Sequence, residues 1–492
     1  MEYEKFLEKN KEDMIFALQK VVRINSEEGE SFTCGDGSVY PFGQGVQEAL
    51  ETVLEMGKDM GFSVKNVDNY GGHIDFEGKS DKIMAILGHL DVVPAGSGWS
   101  FEPYSGEIAD GKLYGRGTTD DKGPVISCLY AMKSLKDAGY QPQATIRLIL
   151  GLDEETHWKG IEYYFSKEKL PDWGFTPDAE FPLINGEKGM LIFSLAKKFA
   201  QTRGEGLELR SLKGGTAPNS VPDSCRVVVN SPKTEKYEEI KDKIAQYRER
   251  TGYKINFRGV GKSLEITAAG KAAHGAQPEK GLNAVSVMMD FLGEVNFVNE
   301  GVNDFISFYN KYIGFCLDGE KMGIDLSDEK SGKLVFNLGM AEMDKEAGKL
   351  VINIRYPVTC SDDDIYGGME ELLTRYEIGL IKEEHKLPIY VDTESGMAKT
   401  LLEIYQKHTG DFDSKPQVIG GGTYARAAKG IIAYGGLFPG DEDRMHQKDE
   451  CIEIERLLQM TKIYAEAIYK LSSEEYNLSL IHISEPTRRT PI

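Results

Sequence analysis

The chain has 492 residues, enough for two or three domains, and its 40% hydrophobic, 28% charged and 10% aromatic residues describe an ordinary folded protein. A formal charge of −21 argues against a phosphate-backbone partner, which needs a basic face, so no nucleic acid is expected. Six scattered cysteines without a C-x-x-C pair predict reduced thiols. With no signal core and no apolar run long enough to span a bilayer, a cytoplasmic protein that does not use a membrane is expected.

In chain order, Phe6, Met14, Ile15, Leu18, Val21 and Val22 fall close to a 3.6-residue period and predict a first helix. A second runs from about Gly45 to Met60, with Val46, Leu50, Val53, Leu54 and Met60 on one face. The apolar run "KIMAIL" predicts a buried strand that ends in "GHLD", placing His89 and Asp91 two residues apart. Asp110-Gly111 within "IADGKLYG" predicts a hairpin turn. Pro124 is expected to open a third helix and Gly139 to stop it. The strand "ATIRLILGL" then runs straight into Asp153-Glu154-Glu155. Strand, helix and strand in this order predict a βαβ unit, in which ligands collect at the carboxyl ends of the strands.

From about Gly189 the pattern changes. The strands "MLIFSLAKKFA", "SCRVVVNS", "SLEITAAG" and "GKLVINIRYPV" mix with helices at "TEKYEEIKDKIAQYRER" and "DDDIYGGMEELLTRY" without strict alternation. The earlier style returns with "GMAKTLLEIYQKHTG" and "IIAYGGLFPG". The expected fold class is therefore α/β. A discontinuous domain over residues 1–188 and 387–476, with a mainly parallel sheet covered by helices, is interrupted by an α+β insertion over 189–386. Residues 477–492, "NLSLIHISEPTRRTPI", read as cloning-derived sequence, which removes His482 from the ligand candidates.

Chemistry-bearing residues recur in five segments. "GHLD" supplies His89 and Asp91, "YGRGTTDDKGP" Asp120 and Asp121, "GLDEETHWKG" Glu154 and Glu155, "TPDAEFP" Asp178 and "DEDRMHQKDE" His446. A single acidic pair is usually solvated surface. Together they offer imidazole and carboxylate at strand ends and loops without cysteine, a donor set that suits zinc, manganese or cobalt in a catalytic site. The Gly-Gly-Gly run of "IGGGTYAR" is no phosphate loop, because no Lys-Ser/Thr follows it.

In this order, the segments resemble the co-catalytic zinc peptidases, which include carnosinases, aminoacylases and succinyl-diaminopimelate desuccinylase. The resemblance covers residues 10–470, and "TPDAEFP", "TAPNSVPD" and "GGGTYARA" are similar to the PepV-type dipeptidase branch. It implies two zinc ions per chain, with manganese or cobalt as substitutes. His89, Asp120 and Asp178 would hold one ion, and Asp120, Glu155 and His446 the other. Asp120 would bridge ions roughly 3.5–4 Å apart, with a water between them lowered toward pKa ~7. Asp91 would orient the His89 ring, and Glu154 would act as general base. The resemblance also implies a cis bond after Asp120.

The inserted domain would then be a lid. From it His274 would stabilise the oxyanion with help from Asn219, and Arg355 would clamp the substrate carboxylate with Gly422 and Thr423. His157 is expected to be structural, and His73, His385 and His408 to fill surface or core. Dipeptidases of this family tend to carry Asp where deacetylases carry Glu, so Asp178 points to unmodified dipeptides, β-Ala-His among them. The lid's length points to a monomer, with a homodimer as the alternative. Two other readings stay open: an N-acyl-amino-acid deacylase on the same metals, and a metal-binding protein without turnover.

Overall fold

The computed structural model describes residues 2–35, 37–201, 205–474 and 476, so the tail from Asn477, with His482, lies outside the described residues. The chain forms two compact units. One runs through Asn185 and takes in Val391–Gln417 and the chain from Gly422 onward; the other is Gly186–Tyr390 with Val418–Gly421. The breaks thus fall at Asn185/Gly186 and Tyr390/Val391, and a four-residue piece of the glycine-rich segment belongs with the insertion.

The first unit is α/β. Three parallel pairings join Ile431–Ala433, Trp173–Thr176, Ile83–His89 and Thr145–Gly151 in that spatial order. Gly72–Phe76 and Ser63–Asn66 extend the sheet with antiparallel pairings. Every residue of Ile83–His89 is buried, which is why its sequence is a continuous apolar run instead of an alternation. The helix Gln44–Asp59 packs on Ser63–Asn66 and Gly72–Phe76, and the helix Lys122–Asp137 packs on Ile83–His89 and on the helix Ile454–Leu471.

Local chemistry explains the boundaries. The first predicted helix is two, Glu2–Lys9 and Lys11–Val22, broken at Asn10. The helix expected to open at Pro124 begins at Lys122, which leaves the proline in the first turn, where its missing N–H costs nothing. Gly139 follows its end at a φ of 76°. Glu107–Ala109 pairs with Lys112–Tyr114 across Asp110 and Gly111, both at positive φ, as a two-residue hairpin requires. Cys451–Glu453 adds a third strand against Lys112–Tyr114.

The second unit is α+β. Its eight-stranded sheet is antiparallel throughout, in the order Lys254–Val260, Ser263–Ala269, Ser224–Asn230, Glu208–Gly214, Val335–Met343, Ala347–Tyr356, Gly189–Lys198 and Gly379–Lys386. Helices Glu235–Thr251, Ala284–Leu292, Glu300–Tyr312 and Asp362–Arg375 belong to it, and its core is separate from that of the first unit. All six cysteines are free, and no helix among the described residues is long and apolar enough to cross a membrane.

His73, on Gly72–Phe76, is buried with Tyr164 Oη 2.8 Å from its Nδ1. Burial, with Arg147 adding to it, lowers this imidazole to about 4. The unfolded chain therefore takes up its proton near 6.5, before the folded one does, and stability present above that pH is lost as the pH falls toward 4. His73→Gln is expected to flatten the stability–pH slope in this window by up to about 1.4 kcal/mol per pH unit, as read by urea unfolding at stepped pH.

Candidate active site

The parallel register brings the carrier residues to one edge of the first unit's sheet. His89 ends its strand opposite Gly151, Glu154 and Glu155 follow that glycine, and Asp178 follows Trp173–Thr176. The fully buried His89 ring is held at both nitrogens. Nδ1 lies 3.0 Å from the Asp91 carbonyl oxygen, with Asp91 Oδ1 at 3.3 Å, and Nε2 lies 2.9 Å from Asp120 Oδ1 and 3.8 Å from Asp178 Oδ2. On the other side of the same carboxylate, His446 Nε2 is 2.9 Å from Asp120 Oδ2 and 3.0 Å from Glu155 Oε1. Asp120 therefore faces one imidazole with each oxygen. The Asp120–Asp121 bond is cis, and Asp121 Oδ2 accepts the His89 backbone N–H at 3.1 Å.

Among the described residues, two groups have ligand atoms close enough to share a cation. His89, Glu154 and Asp178 form one and His89, Asp120 and Glu155 the other, with all atoms of each group within 4.8 Å of one another. Glu154 thus sits at ligand distance from His89 and Asp178, closer to the donors than its expected role as a base alone requires.

Burial pushes the Glu154 carboxyl well above the usual range, and the charge of Asp178 pushes it further. Asp178 is raised to about 8 by burial and then by Asp120, and Glu155 is raised for the same two reasons. Asp120 goes the other way: burial opposes its charge, but hydrogen bonds from His446 and His89 outweigh it. The carboxylates of Asp91, Asp120, Asp121, Glu154, Glu155 and Asp178 thus crowd around the imidazoles of His89 and His446. A donor set with this surplus of negative charge, and no thiolate, fits divalent cations.

Further residues support the cluster. Trp158, at a φ of 60°, donates its indole N–H to the Glu154 carbonyl at 2.6 Å, while Asp91 Oδ2 accepts the Glu155 N–H at 3.1 Å. Both bonds fall on the single peptide unit between the two glutamates. Tyr424 is fully buried with its ring edge-on to His89 at 6.2 Å and to Trp158 at 5.2 Å. Arg116 and Glu450 form a buried ion pair at 2.6 Å beside the Asp120 loop. Sequence reasoning missed all four. The segments that contain Arg116, Trp158, Tyr424 and Glu450 stand out in the sequence, but for other residues.

The remaining candidates divide between the units. In the second, Gly275 N–H donates to the Asn219 carbonyl at 2.7 Å, and Ser220 bridges to His274. The exposed His274 accepts the Ala276 N–H on Nδ1 at 3.2 Å, which leaves Nε2 to carry the proton of the neutral ring. Arg355 is buried and donates from Nε to Asn353 Oδ1 at 3.1 Å, and Gly420 backs onto it and onto Ala276. Thr423, preceded by Gly422, lies in the first unit, where its hydroxyl caps Tyr424–Arg426 by accepting the Ala425 N–H at 3.1 Å. His157 is exposed. His385 meets Tyr356 Oη within the second unit, and His408 meets Glu466 within the first.

Imidazoles and carboxylates gathered at the carboxyl ends of parallel strands form the donor set of a candidate divalent-metal site. The profile of peptidase family M20/M25/M40 matches residues 85–470. YtjP of Bacillus subtilis (strain 168), whose name provisionally makes it a dipeptidase, is 38% identical over 476 residues, covering 96% of this chain and 100% of YtjP. A similarly named protein of Staphylococcus epidermidis is 37% identical over 471 residues, covering 94% of this chain and 97% of that protein. Among solved structures, human carnosine dipeptidase 1 gives a TM-score of 0.54 at 15% identity, covering 96% of this chain and 98% of its own. Aminoacylhistidine dipeptidase from Vibrio alginolyticus gives 0.54 at 14%, covering 93% and 96%. At these identities the two structural likenesses are of fold alone. The chain belongs to peptidase family M20/M25/M40 and is a peptide-bond hydrolase.

Gly88, just before His89, admits no side chain. A Cβ there would collide with Val125 and lie 2.6 Å from Asp121 Oδ2, the acceptor of the His89 N–H. Gly88→Ala is expected to cost about 1–3 kcal/mol in urea-unfolding stability, as overpacked cores do, and to lower activity in the folded fraction.

Proposed function

We propose that the protein is a dipeptidase acting on unmodified dipeptides with two divalent ions, zinc in the first instance. The observation that carries the two-ion reading is Asp120, whose oxygens each lie 2.9 Å from a different imidazole, as a carboxylate shared between two ions requires. His89, Asp178 and Asp120 would hold one ion, and His446, Glu155 and Asp120 the other. Bound there, the ions would supply Lewis-acid polarisation of a water and of the peptide carbonyl.

The chain's own residues do the rest. Asp91 fixes the His89 ring through Nδ1 and so sets the lone pair on Nε2. Glu154 takes a proton from the attacking water and returns it to the leaving amine as the C–N bond breaks. The same proposal assigns oxyanion stabilisation to His274 and Asn219, and recognition of the substrate carboxylate to Arg355 with Gly422 and Thr423. Support for a dipeptide substrate comes from the names of the relatives above and from Asp, not Glu, at position 178. A single chain working in the cytoplasm remains part of this proposal.

Purified protein is expected to bind two zinc ions and to cleave Ala-Ala-type dipeptides in preference to tripeptides and N-acetyl amino acids. Glu154→Gln should keep its metal while kcat falls by about 10²–10⁴-fold. Metal analysis and a hydrolysis panel read both. Faster release from N-acetyl amino acids would transfer the site to the deacylases, and an undiminished Glu154→Gln would remove the base.

A further inference from the structure

We propose that Arg116 and Glu450 are a positioning pair that holds the loop of Asp120 and the loop of His446 in register. The inference rests on the reading of those two residues as metal ligands. The scaffold begins in the small sheet, where Cys451 pairs with Tyr114 and the ladder continues as Gly115 N–H donates to the Glu450 carbonyl at 2.9 Å. Past that point the backbones part, and the Glu450 side chain takes over. Oε1 accepts the N–H groups of Thr119 at 2.9 Å and Asp120 at 3.3 Å, and Oε2 accepts that of Gly117 at 3.1 Å and the Arg116 guanidinium at 2.6 Å. One carboxylate therefore collects the turn that presents Asp120.

Arg116 ties in the other side. Nη1 also donates to the Gln447 carbonyl at 3.2 Å, next to His446, and Nη2 reaches the Pro94 carbonyl at 3.5 Å. Its guanidinium lies over the Trp99 ring at 5.2 Å. His446 and Asp449 are held at φ values of 60° and 58°, backbone that non-glycine residues keep only where neighbours enforce it. Both members of the pair are essentially inaccessible, at 1% and 0% exposure.

Burying an ion pair is a poor way to gain stability, because well-packed apolar residues do as well or better. What a carboxylate and a planar fork add is direction: two acceptor oxygens and several donors at fixed angles. Neither residue touches Asp120 or His446 side chains in the hydrogen bonds above. The effect runs through backbone, which makes these positioning residues, not ligands.

Arg116→Lys keeps the charge but loses the fork, and Glu450→Gln keeps the shape but loses an acceptor oxygen. Metal-free wild type and variants are titrated with cobalt(II) and followed by visible absorption, with kcat and KM on Ala-Ala and thermal melting of the metal-free proteins measured in parallel. Arg116→Lys is expected to melt close to wild type and keep KM within about twofold. Cobalt affinity and kcat should each fall about 10–100-fold, the usual effect of losing an outer-shell partner, with an altered cobalt band. Cobalt affinity, spectrum and kcat equal to wild type in a folded Arg116→Lys would overturn the proposal. If Glu450→Gln does not fold, Arg116→Lys decides alone; if neither folds with or without cobalt, the pair is structural and the proposal fails. A wild type that binds no cobalt sinks the functional reading as well, whereas an active two-ion wild type with unaffected variants sinks only this inference.

Discussion

The crowding of carboxylates around Asp120 is the constraint that the rest of the first unit answers to. Two like charges about as far apart as the 4.8 Å within which Glu154 and Asp178 ligand atoms lie repel by about 3–4 kcal/mol at an effective dielectric of ~20. A few such pairs approach the whole folding free energy of a domain, about 5–15 kcal/mol. The chain must therefore neutralise the cluster, with protons or with cations. Protons are the weaker answer for a hydrolase, since a protonated carboxyl is a poor ligand and a poor base. Imidazoles at 2.9 Å on both sides of Asp120 offset one of these charges, and backbone donors offset others, as the His89 N–H does for Asp121. Divalent cations bound there would complete the neutralisation. On this view the surplus of negative charge is a binding energy held ready for metal.

Holding such a cluster together takes contacts that sequence distance conceals. His89 and Asp120 are 31 residues apart, Asp120 and His446 326, and Arg116 and Glu450 334. Parallel strands solve the first problem by ending together, so that residues just past their carboxyl ends converge whatever the loop lengths between them. The small sheet solves the second, because pairing Lys112–Tyr114 with Cys451–Glu453 delivers the chain before Asp120 to the chain after His446.

What could be read from the sequence follows the same division. The buried strands at Ile83–His89 and Thr145–Gly151 were legible because parallel strands covered on both faces are uniformly apolar, and the acidic and imidazole residues announced themselves by standing at their ends. The strand Gly379–Lys386 gave no such signal: it lies at the sheet edge, is almost wholly exposed and carries charges at successive positions. Helix Ala284–Leu292 is apolar nearly all round, so no 3.6-residue stripe marks it. Arg116 and Glu450 stand in segments noticed for Asp120 and His446, but an ion pair between them is a fact of register, which composition and spacing do not contain. Nor does periodicity say that Val418–Gly421 sides with the second unit.

The two adjacent glutamates show how finely such register acts. Glu155 meets His446 and groups with His89 and Asp120, while Glu154 groups with His89 and Asp178. One peptide unit joins them, and it is clamped at both ends: Trp158 holds the carbonyl of Glu154, and Asp91 holds the N–H of Glu155. A rotation of that plane would move both carboxylates at once. Asp91 also holds the His89 ring through its backbone carbonyl, so one residue acts on both an imidazole, by its main chain, and the plane between the glutamates, by its carboxylate. Under the proposed roles, a proton-accepting Glu154 beside a metal-holding Glu155 would draw on that fixed plane, and the Trp158 indole, on a left-handed backbone, donates to it.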